Sequence, residues 1–159
     1  MTVSSRIRKS AVLATAAVTL AAPLALAGPA QAAPVPITCT SNTTSSDVTP
    51  SCTRNVDDGD AGGVSGAVRL TTTTGEYARV EFQAKGEKVI MRNTWRAWKG
   101  VFTLHIRTSD GWKKHKSWRV DSGTSLTSTF NIAEGTRVAI TACMEAAMFG
   151  CAGNNRLVA

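Results

Sequence analysis

The chain has 159 residues, with 18 Lys and Arg against 11 Asp and Glu, a formal net charge of +7, and four Cys. That length holds one domain of ordinary size. The composition excludes a multidomain enzyme, a collagen-like chain and wholesale disorder.

Taken in chain order, Met1–Lys9 carries Arg6, Arg8 and Lys9 and no acid. Ala11–Ala27 is an apolar run broken only by Thr15, Thr19 and Pro23, and Ala30-Gln31-Ala32 is an A-x-A site. This is the three-part layout of a secretory signal cleaved after Ala32. Residues 1–32 are therefore expected to leave, and the mature chain is expected to begin at Ala33 as a secreted, extracellular protein. No later segment is apolar enough to span a membrane. The signal takes three basic residues and no acid with it, so the mature charge is 15 basic against 11 acidic, net +4.

Residues 33–63 are rich in Ser and Thr, poor in large apolar side chains and contain Asp57-Asp58-Gly59-Asp60. They are expected to form an irregular N-terminal arm ending in a turn. Beyond Pro50 there is no proline, which suits a continuous antiparallel sheet. Residues 64–159 show period-2 patterning with closely spaced turn signals. The strands expected are Val64–Thr73, Glu76–Lys85, Lys88–Trp95, Val101–Arg107, Lys114–Val120, Leu126–Ala133 and Thr136–Met144. Thr74-Gly75, Ser109-Asp110-Gly111, Asp121-Ser122-Gly123 and Glu134-Gly135 mark turns among them. Met144–Phe149 reads as one helical turn and Arg156–Ala159 as a short edge strand. Many short strands with regular turns predict an all-β fold, an antiparallel sandwich or small barrel of about seven strands. Its core is expected to hold Val80, Phe82, Phe102, Leu104, Ile106, Phe130, Ile132, Val138 and Ile140.

The cysteines Cys39, Cys52, Cys143 and Cys151 all lie in the mature part. An even number in a small exported domain predicts two disulfides. Of the three connectivities, the local one is favoured: Cys39–Cys52 and Cys143–Cys151. No C-x-x-C occurs and both His are far from any Cys in sequence, so neither a metal nor another cofactor is implied.

Charge is unevenly placed. Residues 33–81 carry net −3, residues 82–119 net +8 and residues 120–159 net −1. The basic stretch also holds both His and all four Trp. Two clusters stand out: Trp95-Arg96-Ala97-Trp98-Lys99, and Trp112 to Arg119 with Lys113, Lys114, His115 and Lys116 inside it. Trp and Arg are the residues that dominate binding hot spots, so Trp95, Arg96, Trp98, Lys99, Trp112, Lys113, Lys114 and Lys116 are the expected binding residues. Trp118 shares the parity of Val120 and is expected to be buried. Trp95 and Trp98 have opposite parity, so at least one of them must be exposed.

Catalytic signatures do not occur: there is no G-x-S-x-G, H-E-x-x-H, P-loop or G-x-G-x-x-G. His105 alternates outward from Phe102, Leu104 and Ile106, and His115 sits among three lysines. The seven carboxylates after Gly75 are scattered singly. The Asp57–Asp60 turn lacks the alternating pattern of a calcium loop.

The layout Val138-Ala139-Ile140-Thr141-Ala142-Cys143, with Gly150-Cys151 closing eight residues later, resembles that of small two-disulfide secreted β-proteins of actinobacterial type. The Ala-rich signal is similar in style. Trp95-Arg96 is also similar to the Trp-Arg of proteinaceous amylase inhibitors, but Ala97 stands where that pattern has an aromatic. The expectation is a secreted non-catalytic protein-binding module, inhibitor-like or part of a secreted antagonistic complex. Its partner would be another secreted or cell-surface protein, or an anionic cell-wall polymer, and no nucleic acid is expected. The alternatives are a cationic antimicrobial or wall-binding protein and a small hydrolase.

Overall fold

The computed structural model describes residues 39, 47–60, 62–145 and 150–159. The signal, its cleavage site and most of the expected helical turn at Met144–Phe149 lie outside the described residues. The fold is all-β, as the alternation predicts, with nine strands among the described residues rather than seven. They are β1 (Val48–Val56), β2 (Val64–Thr72), β3 (Tyr77–Gln83), β4 (Lys88–Asn93), β5 (Gly100–Thr108), β6 (Gly111–Val120), β7 (Ser125–Thr129), β8 (Arg137–Met144) and β9 (Cys151–Val158). Hydrogen bonding runs in the order β6-β5-β8-β9-β2-β3-β4-β7, with β1 added against β2, so one antiparallel sheet curls almost into a barrel. No helix of the described residues is long and apolar enough to cross a membrane.

Inward residues of β2, β3 and β4 meet those of β5 and β8 across the interior. Val68, Leu70, Val80, Phe82, Val89, Met91, Phe102, Leu104, Val138 and Ile140 are fully buried there. Of the expected core, Ile106 and Phe130 are only partly buried and pack against its margin. The ladder does not close between β6 and β7, and Phe130, just past β7, packs against two rings of β6. The Phe130 ring stands edge-on to Trp118 at 5.8 Å and to His115 at 5.4 Å. A bulge in β6 places Lys116 opposite Leu104 and Lys114 opposite His105, leaving His115 as the extra residue. Glu87 anchors the chain leaving β7: its carbonyl accepts from Phe130 N and its carboxylate from Ile132 N.

The two extra strands have physical reasons for being hard to read. Instead of an irregular arm over 33–63, Val48–Val56 pairs with the whole length of β2. Only Val48 of β1 is buried, so its sequence carries almost no apolar alternation. Pro50 is tolerated because β1 has a single ladder partner. In β9, expected only from Arg156, the pairing shifts register between Val138 and Ile140 of β8. That bulge interrupts the period of two.

The β2–β9 junction has one ladder pair, Val64 with Val158, and other groups reinforce it. Asn154 is 4% exposed and donates through Nδ2 to Thr53 O at 3.0 Å, while its Oδ1 accepts from Arg156 N. Gly66 makes room for this: a Cβ there would lie 2.3 Å from Thr53 O and 2.7 Å from Leu157 Cδ2. Cys39 N donates to Gly153 O, and the Cys39–Cys52 disulfide ties that contact to β1. The second disulfide, Cys143–Cys151, links β8 to β9. Both pairings are the local ones expected.

Candidate functional site

The first Trp cluster is shaped by one buried amide. Val89, Met91, Asn93 and Trp95 keep the inward parity of β4 and all are fully buried. Asn93 Nδ2 donates to Trp98 O at 2.9 Å and to Val120 O at 3.0 Å, and its Oδ1 accepts from Trp95 N at 3.1 Å. These bonds fold residues 94–99 into a tight loop with Trp95 inside and Trp98 outside. Trp95 is 0% exposed and Trp98 37%. Trp95 is thus a core residue and not a contact residue, because the strand parity carries it inward past the end of β4. Its indole N–H has no hydrogen-bond partner among the described residues.

Around this loop the cations are paired. Arg96 meets Glu76 at 3.3 Å, Lys99 meets Asp121 at 2.8 Å, and Arg119 meets Glu145 at 3.4 Å. The hydrogen bond that Lys99 donates to Asp121 holds its ammonium above its ordinary range. The pairs are exposed and contribute little to stability.

The second cluster opens β6. Trp112 is half-buried, with the Arg107 guanidinium 5.7 Å from its ring centroid. Lys113 pairs with Asp110 at 2.8 Å, and this bond, with one from Ser109, holds the Asp110 carboxyl below its ordinary range. Lys114, His115 and Lys116 are exposed along the strand. Trp118 is buried, as its parity predicts, with Lys116 Nζ 5.8 Å from its ring.

The two clusters do not form one compact patch. Gly100 is paired with Val120 and Thr108 with Gly111, so the Trp98–Lys99 loop and Trp112 sit at opposite ends of the β5–β6 hairpin. Eight residue steps separate those ends, roughly 27 Å at strand rise. What joins them is the outer edge of β6. Among the described residues β6 pairs only with β5, so no described strand pairs with its other backbone edge.

His105 lies on the outer side of β5, as its alternation predicts, yet is only 8% exposed. Its ladder neighbours are Ala139, fully buried, and Lys114. Alternation shows which face a residue takes, not what covers that face. Burial, then the nearby Lys114 charge, push the His105 pKa below its ordinary value. Among the described residues no group of three or more His, Cys, Asp and Glu is placed to hold a metal ion.

A second cationic array, not apparent from the order of residues, is assembled by the sheet. Arg69 of β2, Arg79 of β3 and Arg92 of β4 are direct cross-strand partners. The signal for it lies in the hairpin: Thr74 is equidistant from Arg69 and Arg79. No family model, curated protein or solved structure matches this chain.

Proposed function

We propose that this chain is an exported, non-catalytic binding module that receives an acidic, extended segment of another extracellular protein along the edge of β6. The observation that carries this reading is the edge of β6 with which no described strand pairs, and Lys113, Lys114 and Lys116 exposed along it. An open strand edge offers a row of N–H and C=O groups, and strand addition uses them for affinity. Lysines on such an edge repel a second copy of the same strand, while an acidic strand is attracted and steered by them. Trp98 at one end and Trp112 at the other are placed to anchor side chains of the added strand. Export rests on the N-terminal signal pattern and is in keeping with the two disulfides.

The test is titration of the disulfide-intact protein with a labelled strand-forming peptide that alternates Thr and Glu, and with its Thr/Gln counterpart. The acidic peptide should bind with marked salt dependence. Lys113→Glu combined with Lys114→Glu should weaken it at least tenfold, and Trp98→Ala by about 2 kcal/mol if Trp98 is an anchor. Equal binding of both peptides, or loss of binding only when Asp57–Asp60 are changed, would place the interface elsewhere.

A further inference from the structure

The outer face of β1, β2, β3, β4 and β7 carries a central row of polar and charged side chains. Its central row is set by register: Ser51, Arg69, Arg79, Arg92 and Ser125 are successive ladder partners on the five strands. Adjacent strands lie about 4.8 Å apart, so Arg69 and Arg92 stand roughly 10 Å from one another with Arg79 between them. Like charges directly opposite one another across strands are destabilising. Three in a row is therefore a cost that the fold itself does not require.

Internal compensation is partial. Arg79 pairs with Glu81 at 2.5 Å. Arg69 and Arg92 have no carboxylate partner among the described residues. Both lean on the same ring: the Arg69 guanidinium is 4.0 Å and that of Arg92 5.8 Å from the Tyr77 centroid. Arg69 Nε is buried with no hydrogen-bond partner among the described residues. Arg79 also forms the wall between two shallow depressions. One, of about 260 Å³, lies over β3 and β4 and is edged by Arg79, Arg92 and Ser125, with the Glu81 carboxylate also in its wall. The other, of about 230 Å³, lies over β1 and β2 and is edged by Arg69, Arg79 and Ser51. The second depression thus offers Arg69, the shared Arg79 and a hydroxyl, and the first offers the Arg92 fork and a hydroxyl beside the Arg79–Glu81 pair; guanidinium and hydroxyl donors together suit a phosphate or carboxylate group.

We infer that this face binds a linear anionic carbohydrate polymer, one that carries a phosphate or carboxylate on successive units, with neighbouring anionic groups seated in the two depressions. A protein interface needs a desolvated centre of aromatic or aliphatic anchors. Here Tyr77 and Ile90 are half-buried, and the flanking row runs Thr53, Ala67, Glu81, Ile90 and Thr127, with Ala67 buried and hydroxyls at both ends. Hydroxyl groups around guanidinium groups suit a hydrated polyol chain better than a peptide. This surface belongs to other strands than the β6 edge and stands or falls independently of it.

The experiment measures binding of the full disulfide-intact chain to four labelled probes at low salt: a glycerol-phosphate oligomer, an oligogalacturonate, an oligo-aspartate of equal charge and inorganic phosphate. At least one carbohydrate-type oligomer should bind, more tightly than oligo-aspartate and far more tightly than phosphate. Whichever oligomer is preferred identifies the anion as phosphate or carboxylate. Arg92→Gln should weaken it tenfold or more, and Arg92→Lys several-fold, since Lys keeps the charge but loses the fork. Arg69→Gln should act in the same direction, and Arg92 is exposed enough that its variants test the idea even if Arg69→Gln folds poorly. Lys113→Gln with Lys114→Gln should change binding less than twofold. The inference is overturned by no binding to either carbohydrate oligomer, by oligo-aspartate binding as tightly, or by the lysine pair mattering as much as the arginines.

Discussion

Asn93 is the residue on which the loop carrying Trp98 most depends, and its replacement gives the sharpest test of the site's construction. Its side chain makes three hydrogen bonds, to Trp98 O, to Val120 O and from Trp95 N, and none of its surface is exposed. A buried neutral hydrogen bond contributes about 1 kcal/mol net. Asn93→Ala should thus cost about 3 kcal/mol, and more if the Val120 carbonyl stays dry, since an unsatisfied buried group costs about 1–3 kcal/mol. Asn93→Asp should be worse than Ala above neutral pH. A carboxylate still accepts from Trp95 N, but it donates nothing and faces the Trp98 and Val120 carbonyls with a buried charge.

Urea unfolding followed by tryptophan fluorescence reads the stability, and acrylamide quenching of the folded state reads the loop. In Asn93→Ala the midpoint should fall with an unchanged slope, and the fraction of quenchable fluorescence should rise as Trp95 loses its cover. A loss below about 1 kcal/mol, or Asp matching the wild-type Asn, would refute the claim that this amide holds the loop together.

Three other outcomes follow from the packing and charge. Gly66→Ala should cost about 1–3 kcal/mol as an overpacked contact and should loosen β1, seen as faster hydrogen exchange at Thr53 and its neighbours, because the new Cβ meets a backbone carbonyl. Phe82→Ala should cost about 3–5 kcal/mol, whereas Phe130→Ala should cost less, since Phe130 is only partly buried; equal losses in denaturant melts would contradict the burial. The folded His105 pKa lies below its ordinary value of about 6.5. The unfolded chain therefore takes up the proton first, so stability is full above that value and declines as pH falls from it toward the folded pKa. The Tm should be lower at pH 5 than at pH 7.5, and His105→Gln should flatten that difference.

The fold class was legible because most of its strands each have one clearly apolar face. Ala78, Val80 and Phe82 of β3 are buried and Tyr77, Arg79, Glu81 and Gln83 are not fully so, which the period of two states directly. The strands that escaped are those without that contrast: β1 has one buried residue, and β9 is bulged. The local disulfides followed from cysteine spacing. The cationic surface was only half legible, because charge counts along the chain do not know about register. Grouping residues 82–119 merges the two ends of one hairpin, and treating residues 33–81 as an acidic flank hides Arg69 and Arg79. Those two become neighbours of Arg92 only when β2, β3 and β4 are paired.

The lysines of β6 admit a separate duty, and it can be measured apart from binding. Among the described residues three strands have a single ladder partner: β7, five residues long, β1, nine residues long, and β6, ten residues long. A long open edge invites pairing with another copy, and charged side chains are a common guard against it; the shorter β7 edge carries no charge at all. If Lys113, Lys114 and Lys116 guard the edge, changing all three to Thr removes the repulsion while favouring strand conformation. That variant should form dimers or larger assemblies as concentration rises, seen by light scattering after size exclusion, while the wild type keeps one mass. The wild type should also begin to associate at high salt, since exposed charges more than a Debye length apart are then screened. A triple-Thr variant that stays at the wild-type mass up to millimolar concentration would show that the edge needs no guard, leaving recognition of an acidic strand as the remaining use of those cations.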